Sequence, residues 1–198
     1  IDNYVEKLII GDVIDARVTH LESFGAFVDI GCGIISLLSI DSISVSRISH
    51  PASRMSAGES IMTVVKEIDE RGRIFLSSRE LLGTWEENAA LFTPGQTVAG
   101  TVRSIESYGI FVELMPNLAG LAELRPDARD IEIGDTAAVF IKSIIPERMK
   151  IKLILIDTHQ NIGEIAPLRY FVDCENVPRM DRWRYSPECA GRVIETVF

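Results

Sequence analysis

The stretch from Gly11 to Ile30, GDVIDARVTHLESFGAFVDI, returns 84 residues later, from Gly95 to Leu114, as GQTVAGTVRSIESYGIFVEL. Val18, Glu22, Ser23, Gly25, Phe27 and Val28 recur as Val102, Glu106, Ser107, Gly109, Phe111 and Val112, and Phe24 becomes Tyr108. Self-similarity at a fixed spacing points to one folding unit used twice. A chain of 198 residues with 46% hydrophobic content can hold two such units, each with a modest core.

Each copy has the same physical plan. In the first, Ile14, Ala16 and Val18 alternate with Asp15, Arg17 and Thr19, the pattern of a half-buried strand. Gly25 interrupts the next run, and a glycine inside a strand pattern suggests a bulge or a sharp bend. If Val28 and Ile30 face the core, Phe27 and Asp29 face out, and a bend at Gly25 would bring Phe24 beside Phe27. The residues leave a second reading open, in which both rings are core, as most phenylalanines are.

The segments VTHLESFGAFVDIGCGIISLL and GESIMTVVKEIDERGRIFLSSREL resemble the S1 RNA-binding domain, the repeat of bacterial ribosomal protein S1. Repeat one carries the resemblance over Gly11 to Ser78, ending in Gly72, Arg73, Ile74, Leu76 and Ser77; repeat two carries it more loosely from Gly95 to Leu155. The resemblance implies a mainly β chain, with two tandem five-stranded barrels of the OB type joined by a short helix and a small β-rich C-terminal extension. The corresponding boundaries are a helix over 1–10, barrels over 11–80 and 94–158, an inter-repeat helix over 81–93, and an extension over 159–198 packed on the second barrel.

The resemblance also implies a face for single-stranded RNA. Phe24 and Phe27 would stack bases, and Asp69 and Arg73 match positions that the family uses near its RNA face. In repeat two, Tyr108, Phe111 and Lys150 take the places of Phe24, Phe27 and Arg73. Two departures stand out: where the family often has a glycine and then a histidine around the third strand, this sequence has Ser36 and Ser39. The place of Ser39 in repeat two holds Glu123, which would repel phosphate, so that repeat is expected to bind RNA more weakly or to bind protein.

Between the third and fourth strands of repeat one, the connection from Asp41 to Ala57 carries Arg47, His50 and Arg54. Arg47 could meet a backbone phosphate; the plain alternative is a solvated loop. Asp69 and Arg73 are also spaced for a hairpin ion pair with no binding role. Thr84 and Glu87 form a capping box for a helix over Thr84 to Phe92, with Trp85, Ala89 and Phe92 on one face. In the extension, Leu168 to Val172 and Val193 to Phe198 read as strands. The run RMDRWRY between them, Arg179 to Tyr185, reads either as a base-stacking surface or as a lid, and the lid accounts better for Trp and Tyr.

The net charge of −9 counts against tight charge-driven binding of nucleic acid, but not against binding by stacking. Cys32, Cys174 and Cys189 have no paired or metal-type spacing and read as reduced thiols in a cytoplasmic protein. The sequence has no phosphate-binding loop, nucleophile elbow, zinc-protease or dinucleotide motif. No enzyme activity, cofactor or metal is therefore expected. Residue 1 is Ile, and the full protein is expected to carry another domain upstream. The leading expectation is a single-stranded RNA binder in bacterial translation or RNA metabolism. The alternative is a module that docks on a ribosomal or other protein through the same aromatics.

Overall fold

The computed structural model describes residues 7–123, 130–160 and 168–198. The expected N-terminal helix begins in residues 1–6, which lie outside the described residues. The chain forms two compact units.

In the first unit, β1 (Val13–Glu22), β2 (Gly25–Asp29), β3 (Ile35–Ser39), β4 (Ser60–Ile68) and β5 (Ile74–Ser77) close a barrel in the order β1-β2-β3-β5-β4. The β3–β5 pairing is parallel and the rest are antiparallel. Strand alternation sends Ala16, Val18, Ala26, Val28, Leu38, Ile61, Val65, Ile74 and Leu76 into one core. Full burial of each large aliphatic side chain contributes roughly 1.5–3 kcal/mol.

The long connection between β3 and β4 is not a solvated loop. It carries two 3-10 turns, Ile40–Ser42 and Pro51–Ser53, and delivers Ile43 and Met55 to the core. Arg54 is buried with them, and its Nε and Nη2 donate to Ser44 Oγ at 3.3 and 3.2 Å. His50 Nδ1 accepts from Ala52 N at 3.1 Å, capping the second turn. A connection with apolar residues of its own is drawn inward to cover the barrel end.

The expected irregularity at Gly25 lies elsewhere. The ladder shifts in β1, between Val18 and His20, and the bulged Thr19 donates its hydroxyl to Phe27 O at 2.9 Å. Gly25 is required by close approach instead: a Cβ there would lie 2.5 Å from Leu38 O. Gly109 repeats the constraint, with a Cβ 2.5 Å from Ala122 O, and the partner strand again shifts, between Val102 and Ser104.

The second unit has β6 (Thr97–Glu106), β7 (Gly109–Met115), β8 (Leu118–Ala122), β9 (Thr136–Ile145) and β10 (Lys150–His159), closed in the order β10-β8-β7-β6-β9. Val102, Ile110, Val112, Leu118, Val139, Ile141, Ile151 and Leu153 are buried. Helix α1 spans Trp85–Ala89 and belongs to this unit. Both halves of its capping box are present: Glu87 N donates to Thr84 Oγ1 at 3.1 Å and Thr84 N to Glu87 Oε1 at 3.0 Å. The helix stops short of the expected Phe92. The chain is pulled out of helical geometry to join the barrel, with Gly95 N donating to Ile141 O at 2.8 Å and Ile141 N to Gln96 O at 2.9 Å.

The extension departs most from expectation. Residues 168–184 and Glu195–Phe198 belong to the first unit rather than the second, while residues 159–160 and Tyr185–Ile194 belong to the second. The reason is backbone hydrogen bonding. Val13 N at the start of β1 donates to Pro178 O at 2.9 Å, Met180 N donates to Gly11 O at 2.7 Å, and Met62 N on β4 donates to Tyr170 Oη at 2.9 Å. These groups lie beyond the reach of the barrel's own ladders, and burying them unpaired is costly. Leu168 to Val172 is accordingly not a strand; it is held by such single bonds, as from Phe171 N to Leu81 O at 2.9 Å. In the RMDRWRY run, Arg182–Arg184 forms β11 and pairs with β12 (Glu195–Val197). Trp183 and Tyr185 are buried, so the run is no stacking surface. Arg79 lies over the Trp183 ring at 5.8 Å in the first unit, and Tyr185 Oη donates to Asn117 O in the second.

Candidate nucleic-acid interface

The register of the first barrel aligns one outward position from each strand. His20 on β1 pairs with Phe27 on β2, Phe27 with Leu37 on β3, Leu37 with Phe75 on β5, and Phe75 with Glu67 on β4. Their strand neighbours Ala26, Val28, Leu38, Ile74 and Leu76 point inward. Phe27, Leu37 and Phe75 are half-buried on the outside of the barrel. Phe24 sits in the two-residue turn between β1 and β2, 53% exposed, with its ring edge-on to Phe27 at 5.9 Å and 85°. The two rings are therefore face, not core. The His20 ring lies 6.3 Å from Phe27, inclined at 22°. An exposed band of rings of this kind offers π-faces to unpaired bases.

The sequence reading names neither Phe75 nor His20 as a binding residue. The signal for Phe75 was the alternation Ile74-Phe75-Leu76 in β5, which turns the ring outward once its neighbours turn in. His20 carried no such signal, because the bulge at Thr19 decides which way it points.

Cations flank the band. Arg73 Nε donates to Asp69 Oδ2 at 2.7 Å, while Asp69 Oδ1 accepts from Arg71 N at 3.0 Å and Arg73 N at 2.8 Å. Desolvation alone would raise the Asp69 pKa. The hydrogen bonds from Arg73 and Arg71 and the charge of Arg73 outweigh it, and the pKa lies below the ordinary aspartate value. The pair thus closes the hairpin, yet the Arg73 side chain remains 65% exposed. Lys66, which the sequence reading also missed, is exposed at a bulge between Val65 and Glu67. Its Nζ donates to Ser42 Oγ at 3.2 Å, and Ser42 Oγ accepts from Ser39 Oγ at 3.1 Å. A cation is thereby linked to the position where the resemblance led one to expect histidine. Arg47 is exposed on the connection, and no hydrogen bond or ion pair among the described residues ties it to the band.

The second barrel repeats the arrangement with altered chemistry. Ser104, Phe111, Leu121, Lys152 and Ser143 form the equivalent row. Tyr108 is 61% exposed and edge-on to Phe111 at 6.1 Å and 87°. Lys150 pairs with Ile145, which stands where the first barrel has Asp69. Glu123 is exposed at the end of β8. Arg103, bulged out of β6, forms an ion pair with Glu113 at 3.1 Å.

Among the described residues, no group of three or more His, Cys, Asp or Glu side chains could hold a metal ion, and no helix is long and apolar enough to cross a membrane.

Residues 7–79 match the family model of the S1 RNA binding domain. The small ribosomal subunit protein bS1 of Leuconostoc lactis is 32% identical over 157 residues, covering 74% of this chain and 36% of that protein. The small ribosomal subunit protein bS1 homolog of Bacillus subtilis is 30% identical over 197 residues, covering 98% of this chain and 49% of that protein. The solution structure of GSP13 from Bacillus subtilis aligns at a TM-score of 0.35 and 30% identity, over 37% of this chain and 57% of that chain. The chain spans less than half the length of the two curated relatives. Through a first barrel that matches the family model from end to end of its ladder, the chain belongs to the S1 RNA-binding domain family.

Proposed function

We propose that this chain binds single-stranded RNA by stacking bases on the outer face of its first barrel, in bacterial translation or RNA metabolism in the cytoplasm, and that it carries no enzyme activity of its own. One observation carries the reading: Phe24, Phe27 and Phe75 share an outward face with Lys66 and Arg73 beside them. Rings read π-faces rather than base edges, so sequence preference is weak, and each stacked base contributes on the order of 1–3 kcal/mol. Tyr108, Phe111 and Lys150 form the second barrel's counterpart. Relatives named as ribosomal subunit proteins support a place on or near the ribosome.

A second reading, docking of a protein partner on the same aromatics, draws on the chain's net charge of −9 and on Glu123 at the second face. Fluorescence anisotropy of a labelled RNA of about twelve nucleotides, within the site size of such barrels, separates the two. Wild type should bind, and the Phe24→Ala, Phe27→Ala double variant should bind at least tenfold more weakly while staying folded. Absence of wild-type binding at micromolar protein would favour the protein partner.

A further inference from the structure

The chain has five lysines: Lys7, Lys66, Lys142, Lys150 and Lys152. In an acidic protein their placement is informative, because three of the five lie together on the second barrel. Lys152 occupies the outward row: it pairs with Leu121 on β8, as Phe75 pairs with Leu37. Lys142 occupies the β9 bulge. Lys152 pairs with Ser143 and Leu153 with Ile141, so Lys142 is skipped by the ladder, as Lys66 is skipped in β4. Lys150 opens β10, two residues from Lys152 on the same side of the strand.

The two faces differ in charge as well as in rings. Around the first band, Lys66 and Arg73 stand with Glu22, Glu67 and Asp69, and Asp69 engages Arg73 directly. On the second face Ser143 replaces Glu67 and Ile145 replaces Asp69. The acidic residues of this end of the barrel are Glu106 at the end of β6, Glu123 after β8 and Glu147 in the turn before Lys150, and no salt bridge within 4.0 Å engages Lys142, Lys150 or Lys152 among the described residues. Glu106 is itself held by Ser104 Oγ at 2.7 Å. A ring has also been exchanged for a cation, Phe75 for Lys152.

We infer that the second barrel is a phosphate-binding module, in which Lys142 and Lys152 act with Lys150 to contact the sugar–phosphate backbone of single-stranded RNA, while the first barrel supplies base stacking. The inference rests on the RNA-binding reading above and assigns different chemistry to the two repeats. Ammonium groups act as point charges on phosphate and need no fixed geometry, which suits a strand of any sequence. Each phosphate contact on a single strand contributes about 0.7 to the slope of log affinity against log salt.

The test is a salt titration of labelled oligouridylate binding to the full chain, followed by anisotropy. Wild type is compared with Lys142→Gln, Lys152→Gln and with Lys142→Arg, Lys152→Arg. The glutamine pair should lower the salt slope by about 1.4, two contacts' worth, and the arginine pair should keep it. The Phe24→Ala, Phe27→Ala variant should lose affinity with the slope unchanged. A glutamine pair that binds with the wild-type slope would overturn the inference and leave base stacking on the first barrel standing. A wild type that does not bind at low salt would remove the RNA reading and this inference together. All the substituted lysines are exposed at the surface, and matching thermal unfolding of the variants confirms that they fold.

Discussion

Thr196 Oγ1 donates to Glu80 Oε1 at 3.0 Å, joining the third residue from the end of the chain to a fully buried carboxylate beside the first barrel. Glu80 also accepts from Ser77 Oγ, and Arg79 Nε lies 3.7 Å away. A buried carboxylate is tolerated only where such partners surround it. Thr196→Val removes a donor while keeping the shape, and should destabilise the first unit by about 1–3 kcal/mol. Urea unfolding followed by the fluorescence of Trp183, buried on the adjoining strand, measures it. An unchanged midpoint would mean that the last strand does not secure the barrel.

Gly25 and Gly109 are predicted to be intolerant of any side chain. An alanine Cβ would stand 2.5 Å from a carbonyl oxygen of the facing strand in each case, and the strands must separate to admit it. Gly25→Ala and Gly109→Ala should each cost about 1–3 kcal/mol. Gly191→Ala, with open space around it and no left-handed φ, should stay within about 0.5 kcal/mol of wild type. Thermal unfolding of the three variants provides the comparison.

Asp69 makes the first hairpin sensitive to acid. Its pKa is lowered in the folded state, so its contribution to stability is present above the unfolded value near 3.8 and is lost as pH falls through the folded value. Asp69→Asn should therefore flatten the acid limb of a stability–pH curve below about pH 4 and leave its neutral region with a constant offset. An acid limb that is the same in both proteins would contradict the role assigned to the Arg73 and Arg71 hydrogen bonds.

Phe75 should contribute to RNA binding as much as Phe27. Phe75→Ala is expected to weaken binding of a twelve-nucleotide RNA by about 1–3 kcal/mol, roughly 5- to 150-fold, with the salt slope retained. His20→Ala tests the other end of the row; its ring lies beside Phe27, and a smaller loss in the same assay is expected. If neither variant changes affinity, the stacking surface does not extend past Phe24 and Phe27.

Much of this protein was determined by its sequence alone. The 84-residue repeat, the period-two alternation and the turn residues imposed two β barrels, because strand alternation and tight turns are local properties of the chain. The same local pattern singled out Phe24 and Phe27, and their echo Tyr108 and Phe111, but left open whether the rings face out or fill the core. The tertiary structure decided what stands beside those rings. Phe75 joins Phe27 through two cross-strand steps, and bulges at Thr19, Lys66, Arg103 and Lys142 set which side chains turn outward. A bulge is settled by ladder register, which depends on residues far apart in sequence. Partnership of the C-terminal extension was likewise settled only in three dimensions. Its runs carry no periodicity that selects a barrel, and it went where Val13 N and Met62 N needed acceptors and Gly11 O a donor, because buried backbone groups left unpaired cost more than a strand in the wrong place would gain.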